Sequence, residues 1–161
     1  MARINKELEE FAQDILVKND MYKIPVDLIN LTNVLEIDVY EQELENKISG
    51  AIRYSKEEDK YTILLNKKDN INRRRFTLAH EIGHYFLDKE TLESDEIHVD
   101  VLYRCTDEKE KEIDYFAGAL LMPKGLVEIM YEDNPSISEL AEIFEVSESA
   151  MTVRLDILGL I

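Results

Sequence analysis

The sequence predicts an α+β fold that is mostly helical, with a small antiparallel β-sheet packed on one long buried helix. Apolar residues recur at helical spacing in several segments of the chain. Two segments rich in β-branched and aromatic residues flank a short polar stretch, which is the pattern of a hairpin. Helices come first, the strands second and further helices last, whereas parallel α/β folds alternate strands and helices along the chain.

The first half of the chain supplies two helices and the strands. Apolar residues at helical spacing predict a helix over residues 4–18. Pro25 suits the first turn of a second helix, which continues to residue 35. The predicted strands cover residues 37–40, 48–54 and 60–66, with a polar hairpin loop over residues 55–59.

The second half is predicted to be helical. A long helix runs from about residue 70 to residue 87, and the stretch from 88 to about 104 is poorly patterned. The last two helices flank a turn at Val146–Ser147, an arrangement typical of a helix-turn-helix. We therefore expect one domain over residues 1–134 and a helix-turn-helix-like segment over residues 135–161 that packs on it. The four helices predicted after the poorly patterned stretch cover residues 107–121, 124–132, 137–144 and 147–158.

Composition narrows the classes of partner. The formal net charge is −16, and a chain this acidic repels the phosphates of nucleic acids and anionic membranes. The single cysteine, Cys105, cannot form a disulfide within the chain, which fits a reducing compartment. No apolar run approaches the ~20 residues of a membrane span, and the first residues lack the apolar core of a signal peptide. We expect a cytoplasmic protein whose partner is a protein.

The long helix contains the sequence His-Glu-Ile-Gly-His at residues 80–84. Residues four apart lie on the same face of a helix, so His80 and His84 can direct their nitrogens at one Zn²⁺ about 2.0–2.1 Å from each. Glu81 lies beside the first histidine, where it can act on a water molecule as a general base. The flanking residues leave almost no polar face, and two histidines and a glutamate are costly to bury unless a partner such as a metal satisfies them.

The third metal ligand is expected from another part of the chain, because catalytic zinc usually takes three protein ligands. The candidates are His98 and the acids of the helix that follows it. Glu110 lies about 60° from the centre of that helix's apolar face and Glu112 about 100° away, taking ~100° per residue. Asp114, one turn beyond Glu110, can hydrogen-bond a ligating histidine. Spacing alone leaves the ligand open, because Asp107 and Glu110 also fit a capping box and His98 lies in a polar stretch typical of a solvated histidine.

The helix that carries these acids contains a second motif. Residues 110–123 read E-x-x-I-D-x-F-A-x-x-L-L-M-P. Together with residues 75–84, this motif resembles the ImmA/IrrE family of zinc metallopeptidases, and the resemblance covers roughly residues 20–160. Ile113 stands where the family usually has Ala, which alters packing more than chemistry. The resemblance implies that Glu110 is the third ligand. It also implies a protein substrate, a helix-turn-helix repressor whose cleavage induces a mobile element, a prophage or a stress response.

The expected chemistry follows from this ligand set. One Zn²⁺ per chain is expected, although two histidines and one carboxylate also accept Mn²⁺ or Fe²⁺. Glu81 takes a proton from water and delivers it to the leaving amine. Tyr85, Tyr103 and His98 are candidates for stabilising the oxyanion, and the sequence does not choose among them.

Two other classes of function stay open. One is an acidic regulatory or binding protein with a structural metal site and no peptidase activity, against which the intact Glu81 argues, since a structural site needs no base. The other is a regulator whose helix-turn-helix binds DNA. Residues 137–158 hold five acids against Arg154 alone, so direct binding of nucleic acid is not expected.

Overall fold

The computed structural model describes residues 3–94, 97–99 and 107–161. The chain divides into two compact units, one of Leu28–Ala117 and one of Met1–Asp27 with Gly118–Ile161. Along the chain the elements are α1 (Lys6–Lys18), α2 (Leu28–Val34), β1 (Ile37–Gln42), β2 (Gly50–Ser55), β3 (Lys60–Asn66), α3 (Ile71–Leu87), α4 (Lys89–Ser94), β4 (Ile97–Val99), α5 (Asp107–Leu121), α6 (Lys124–Tyr131), α7 (Ile137–Phe144) and α8 (Glu148–Ile157).

The predicted α+β class is confirmed, but the sheet is mixed rather than wholly antiparallel. Its strand order is β1-β3-β2-β4. β2 pairs antiparallel with both β3 and β4, whereas β1 pairs parallel with β3. The polar loop predicted over residues 55–59 closes the β2–β3 hairpin. The connection from β1 to β2 crosses the end of β3. The pairing of β1 with β3 is non-local, so the local pattern of the sequence does not predict it.

Asn66, the last residue of β3, forms hydrogen bonds with the connection between β1 and β2. Its side chain is buried, and its amide nitrogen donates to the carbonyls of Leu44, Glu45 and Ile48 at 3.4, 3.2 and 2.8 Å. The Asn66 backbone N–H donates to the carbonyl of Ser49 at 2.9 Å. A single buried amide therefore satisfies polar groups of a loop that has no ladder of its own, and it delivers the chain to the start of β2.

α3 is the long helix predicted from the sequence, and it packs on β2 and β3. Asn70 is its N-cap, and the Asn70 side chain accepts a hydrogen bond from the backbone N–H of Arg73 at 2.9 Å. Such a cap satisfies one of the donors that a helix start leaves unpaired. Every residue from Thr77 to His84 is buried. The polar residues of the histidine motif thus lie in the interior of the Leu28–Ala117 unit.

The other unit contains α1 and the helices from α6 to α8. Arg154 of α8 is 2% exposed, and both of its terminal nitrogens donate to the carboxylate of Glu9 in α1 at 2.7 Å. The same guanidinium donates through Nε to the carbonyl of Met122 at 2.9 Å. Charges removed from water need this degree of satisfaction to be tolerated. Arg154, the single Lys or Arg of residues 137–158, therefore makes its ion pair inside the protein.

The helices predicted over 137–144 and 147–158 are present as α7 and α8. Glu145 ends α7 in the left-handed region with φ 56°, and Ser147 caps α8 by accepting from the N–H of Ala150. The helix-turn-helix-like character of this segment and the domain division at residues 134 and 135 stay predictions. Within the described residues, no helix combines the length and apolarity needed to cross a bilayer.

Candidate metal centre

The centre brings together two buried imidazoles from α3 and one carboxylate from α5. His80 and His84 lie one helical turn apart and are 5% and 0% exposed. Glu110 places one oxygen 3.2 Å from Nε2 of His80 and the other 3.4 Å from Nε2 of His84. These three residues each offer a ligand atom, and the three atoms lie within 4.8 Å of one another.

The donor set fits a divalent cation. Two ligands of a tetrahedral zinc site with bonds of about 2.0–2.1 Å lie about 3.3 Å apart. Each Nε2 lies at a similar distance, 3.2 or 3.4 Å, from one of the two oxygens of Glu110. Imidazole nitrogen and carboxylate oxygen are ligands that zinc binds in proteins. The set also carries one formal negative charge, which a divalent cation overcompensates.

Asp114 fixes the orientation of the first histidine. Its Oδ1 lies 2.7 Å from Nδ1 of His80. A carboxylate only accepts hydrogen bonds, so Nδ1 of the neutral ring carries the proton and donates it. The lone pair of the ring then resides on Nε2, the atom that faces Glu110. Asp114 follows Glu110 by one turn of α5, so one helix supplies both the ligand and the partner of His80.

Gly83 allows α3 and α5 to approach closely at the level of the ligands. A Cβ built on Gly83 would lie 2.9 Å from Cγ2 of Ile113 and 3.3 Å from Cδ2 of Phe116, both of α5. Real Cβ atoms seldom approach other carbons this closely. Lys109 of α5 also donates to the carbonyl of Leu87 at the end of α3 at 3.3 Å. The glycine of the histidine motif therefore has a packing role between the two helices that carry the ligands.

Glu81 is fully buried, and its carboxylate lies beside the start of β2. A Cβ built on Gly50 would lie 3.5 Å from Oε2 of Glu81, 2.6 Å from Cγ2 of Thr77 and 2.8 Å from the carbonyl oxygen of Leu64. The missing side chain at Gly50 thus leaves the space in which the first residue of β2 meets α3. Sequence reasoning identified Glu81 but did not find the glycine packed against it.

Comparison with known proteins adds to this geometry. The model of the peptidase M78 family, described as the IrrE N-terminal-like domain, matches residues 32–156. The chain belongs to the peptidase M78 family. The matched residues include the histidine motif, Glu110 and Asp114, so all of the centre described above lies inside the M78 domain. The resemblance inferred from the two sequence motifs is thereby confirmed.

Individual relatives are more distant. The metallopeptidase ImmA of Bacillus subtilis (strain 168) is 26% identical over 113 residues, which are 69% of this chain and 64% of that protein. A Mycobacterium tuberculosis transcriptional regulator has a similar fold, with a TM-score of 0.65 at 20% identity, over 94% of this chain and 47% of that one. This M78 chain therefore spans less than two thirds of either protein's length.

The remaining predicted residues of the M78 chain have different outcomes. The ring of Tyr85 packs edge-on against Tyr61 with centroids 4.9 Å apart, and Nζ of Lys89 lies 4.3 Å from its centroid. Tyr61 in turn donates to Glu93 at 2.8 Å, and burial together with this hydrogen bond raises the pKa of Tyr61. These contacts hold Tyr85 in an aromatic cluster with β3. Tyr103 and the side chain of His98 lie outside the described residues, so their predicted roles stay predictions.

Asp88 is a member of the site that sequence reasoning missed. Its Oδ2 lies 3.4 Å from Nδ1 of His84, and it is 7% exposed. The available signal was the spacing, because Asp88 follows His84 by four residues and so lies on the same face one turn later. It was assigned instead to the poorly patterned stretch after the helix, and it belongs to neither of the two M78 motifs.

Proposed function

We propose that this protein is a zinc-dependent endopeptidase in which His80, His84 and Glu110 hold the metal. The observation that carries the proposal is the convergence of two buried Nε2 atoms and one carboxylate at distances that suit a tetrahedral zinc site. Membership of the M78 family supports a metallopeptidase. Zinc is the preferred ion on the chemistry of the donors, and Mn²⁺ or Fe²⁺ are the alternatives.

The residues of the chain have separate roles in the proposed reaction. A divalent cation in this position supplies Lewis acidity, which polarises a scissile carbonyl and lowers the pKa of water. Glu81 takes the proton of the attacking water and later gives it to the leaving amine. Asp114 keeps the His80 ring in the tautomer whose Nε2 is a ligand. Tyr85 is a candidate for stabilising the oxyanion, together with Tyr103 and His98.

The substrate proposed is a protein, specifically a helix-turn-helix repressor whose cleavage induces a mobile element, a prophage or a stress response. Charge supports this class of substrate. The chain carries a net charge of −16, whereas a DNA-binding repressor presents a basic surface. Opposite net charges raise the rate of encounter between the two proteins. The single cysteine fits a reducing compartment, and we place the reaction in the cytoplasm.

The buried ion pair of Arg154 argues against direct binding of DNA by the C-terminal segment. Arg154 is the one Lys or Arg between residues 137 and 158, and its guanidinium is committed to Glu9 and to the carbonyl of Met122. A phosphate contact from a cationic side chain of this segment would require that buried pair to break, which is strongly unfavourable. A protein-binding or structural role suits residues 135–161 better.

The alternative function is an acidic regulatory or binding protein that keeps a structural metal site and lacks peptidase activity. The buried carboxylate of Glu81 distinguishes this function from that of a peptidase. A carboxylate with 0% exposure is costly to bury, and a structural site gives no reason to place one beside the first ligand. The peptidase accounts for its position.

The substitution Glu81→Gln tests the proposal, with Glu112→Gln as the matched control, since the Glu112 side chain lies on α5 and is 42% exposed. Metal content is measured by elemental analysis, and cleavage of a helix-turn-helix repressor is followed by mass spectrometry. Glu81→Gln should retain one ion per chain and lose about 10²–10⁴-fold in cleavage rate, while Glu112→Gln should match the wild type. Cleavage by Glu81→Gln at the wild-type rate would remove Glu81 from its role. A wild-type protein that binds the ion and cuts nothing would favour the alternative function.

A further inference from the structure

We propose that Asp88 is a positioning residue for the metal centre, which holds the imidazole of His84 in the tautomer and orientation that direct Nε2 at the cation. The proposal rests on the metal site of the proposed function. It adds a residue that lies in neither sequence motif, and it gives His84 the kind of partner that Asp114 provides to His80.

The contact is between two buried groups. Nδ1 of His84 lies 3.4 Å from Oδ2 of Asp88, and the side chains of the two residues are 0% and 7% exposed. A hydrogen bond from Nδ1 leaves the lone pair of the neutral ring on Nε2. In the same geometry Nε2 of His84 faces a carboxylate oxygen of Glu110 at 3.4 Å. The two nitrogens of the ring therefore point to two different carboxylates, one that orients and one that ligates.

The backbone of Asp88 is fixed on both sides. Its N–H donates to the carbonyl of His84 at 2.9 Å as the last link of α3, and its carbonyl accepts from the N–H of Leu92 at 3.1 Å in α4. Four residues along a helix correspond to about one turn, so this backbone keeps the carboxylate on the His84 face. The backbone of Asp88 is therefore held where α3 ends and α4 begins, with its side chain beside His84.

The placement of Asp88 is more easily explained by this role than by solvation. A carboxylate in an interior position costs free energy unless hydrogen bonds or opposite charge compensate it. Asp114 does the same task for His80 with its side chain 58% exposed, so water is available to it. Asp88 lacks that access. The N–H of the His84 imidazole compensates the negative charge of Asp88. A cation bound to the other nitrogen of that ring would add to this compensation.

The test uses the full chain with Asp88→Ala, Asp88→Asn and the control Glu90→Ala, which removes the same charge from an exposed position two residues away. The first readout is the tautomer of His84 in the metal-free protein, measured by long-range ¹H–¹⁵N correlation. The second is the affinity for Zn²⁺, measured by competition with a chelator. The third is the thermal midpoint of the metal-free protein, which separates positioning from stability.

Asp88→Ala should shift the metal-free His84 away from the Nδ1–H tautomer and weaken Zn²⁺ binding about tenfold, the lower end of the roughly 10–100-fold range for such partners, because 3.4 Å is a long contact. Asp88→Asn keeps an oxygen acceptor and should lie between alanine and wild type. Glu90→Ala should leave both readouts unchanged.

Unchanged tautomer and affinity in Asp88→Ala would overturn the proposal. A lower thermal midpoint with unchanged affinity would also overturn it, because Asp88 would then contribute to stability alone. If the alanine variant does not fold, the asparagine variant decides by the same two readouts. A wild-type chain that binds no Zn²⁺ contradicts the proposed function, while the tautomer of its metal-free His84 still tests the contact with Asp88.

Discussion

Substituting Gly83 by alanine should weaken the metal site more than it weakens the fold. The new Cβ would lie 2.9 Å from Cγ2 of Ile113, and carbon atoms prefer about 3.5–4.0 Å. The two helices would have to separate by about 0.6–1.1 Å at this level, the difference between those distances. Overpacking of this kind costs about 1–3 kcal/mol, and the better helix propensity of alanine returns about 1 kcal/mol. The net loss of stability should therefore lie between near zero and about 2 kcal/mol.

The metal site is more sensitive to that separation. Metal–ligand distances tolerate deviations of only about 0.2 Å, and Glu110 lies on α5 one turn before Ile113. In the metal-free variant the helices can relax apart, so binding an ion must restore the close approach and its strain. If about 1–2 kcal/mol of strain is restored, affinity falls about 5–30-fold. Chelator competition measures the affinity, and urea unfolding of the metal-free protein measures the stability.

Two further variants test whether the loss of metal affinity comes from the contact between residue 83 and Ile113. Gly118→Ala lies in the same helix as Ile113, and a Cβ there meets only Cε of Met122 at 3.9 Å, an ordinary contact. It should stabilise the protein by about 0.5–1 kcal/mol and leave metal affinity unchanged. Ile113→Ala added to Gly83→Ala removes the clashing methyl group and should recover most of the lost affinity. A Gly83→Ala protein that binds Zn²⁺ as tightly as the wild type would refute the close approach of α3 and α5.

Two further predictions concern parts of the molecule outside the centre. Burial and its hydrogen bond to Glu93 raise the pKa of Tyr61, so its stabilising contribution is full below the ordinary tyrosine value of about 10 and is lost as pH rises above it. Tyr61→Phe should flatten the fall in urea midpoint above pH ~10, and an equally steep fall in both proteins would contradict this. Arg154→Met leaves Glu9 buried without its cation and should cost about 3–5 kcal/mol, whereas the double variant with Glu9→Met should recover most of that loss in the same unfolding assay.

The residues that converge at the candidate centre can be found from the sequence because the spacing within each helix is local. His80 and His84 belong to one helix, and a spacing of four residues places them on one face whatever surrounds the helix. Glu110 and Asp114 share a second helix in the same way. The relation between the two helices is non-local, and spacing alone left Glu110 open as a ligand until the family resemblance favoured it. Asp88 has the same local spacing from His84, but it follows Leu87, the last apolar residue of the helix, so the apolar pattern does not include it.

Strand pairing shows the same limit. The hairpin of β2 and β3 is marked by its polar loop, so both strands could be predicted. The parallel pairing of β1 with β3 is accompanied by hydrogen bonds of a buried side chain, Asn66. This side chain accepts from and donates to backbone groups of the connection between β1 and β2, about twenty residues earlier in the chain. The alternation of apolar residues along the strands does not predict such a contact. The short elements α4 and β4 were missed for a related reason, since they are too brief to establish a period.

The two glycines explain how α3 can bury its polar residues. Gly50 removes a side chain between α3 and the sheet, beside Glu81, and Gly83 removes one between α3 and α5, beside His84. Both neighbours therefore approach the helix backbone more closely than a larger residue would permit, and water is displaced from the flanks of the histidine motif. Ile113 fills the space that Gly83 leaves. We therefore expect the metal site to require glycine at residue 83.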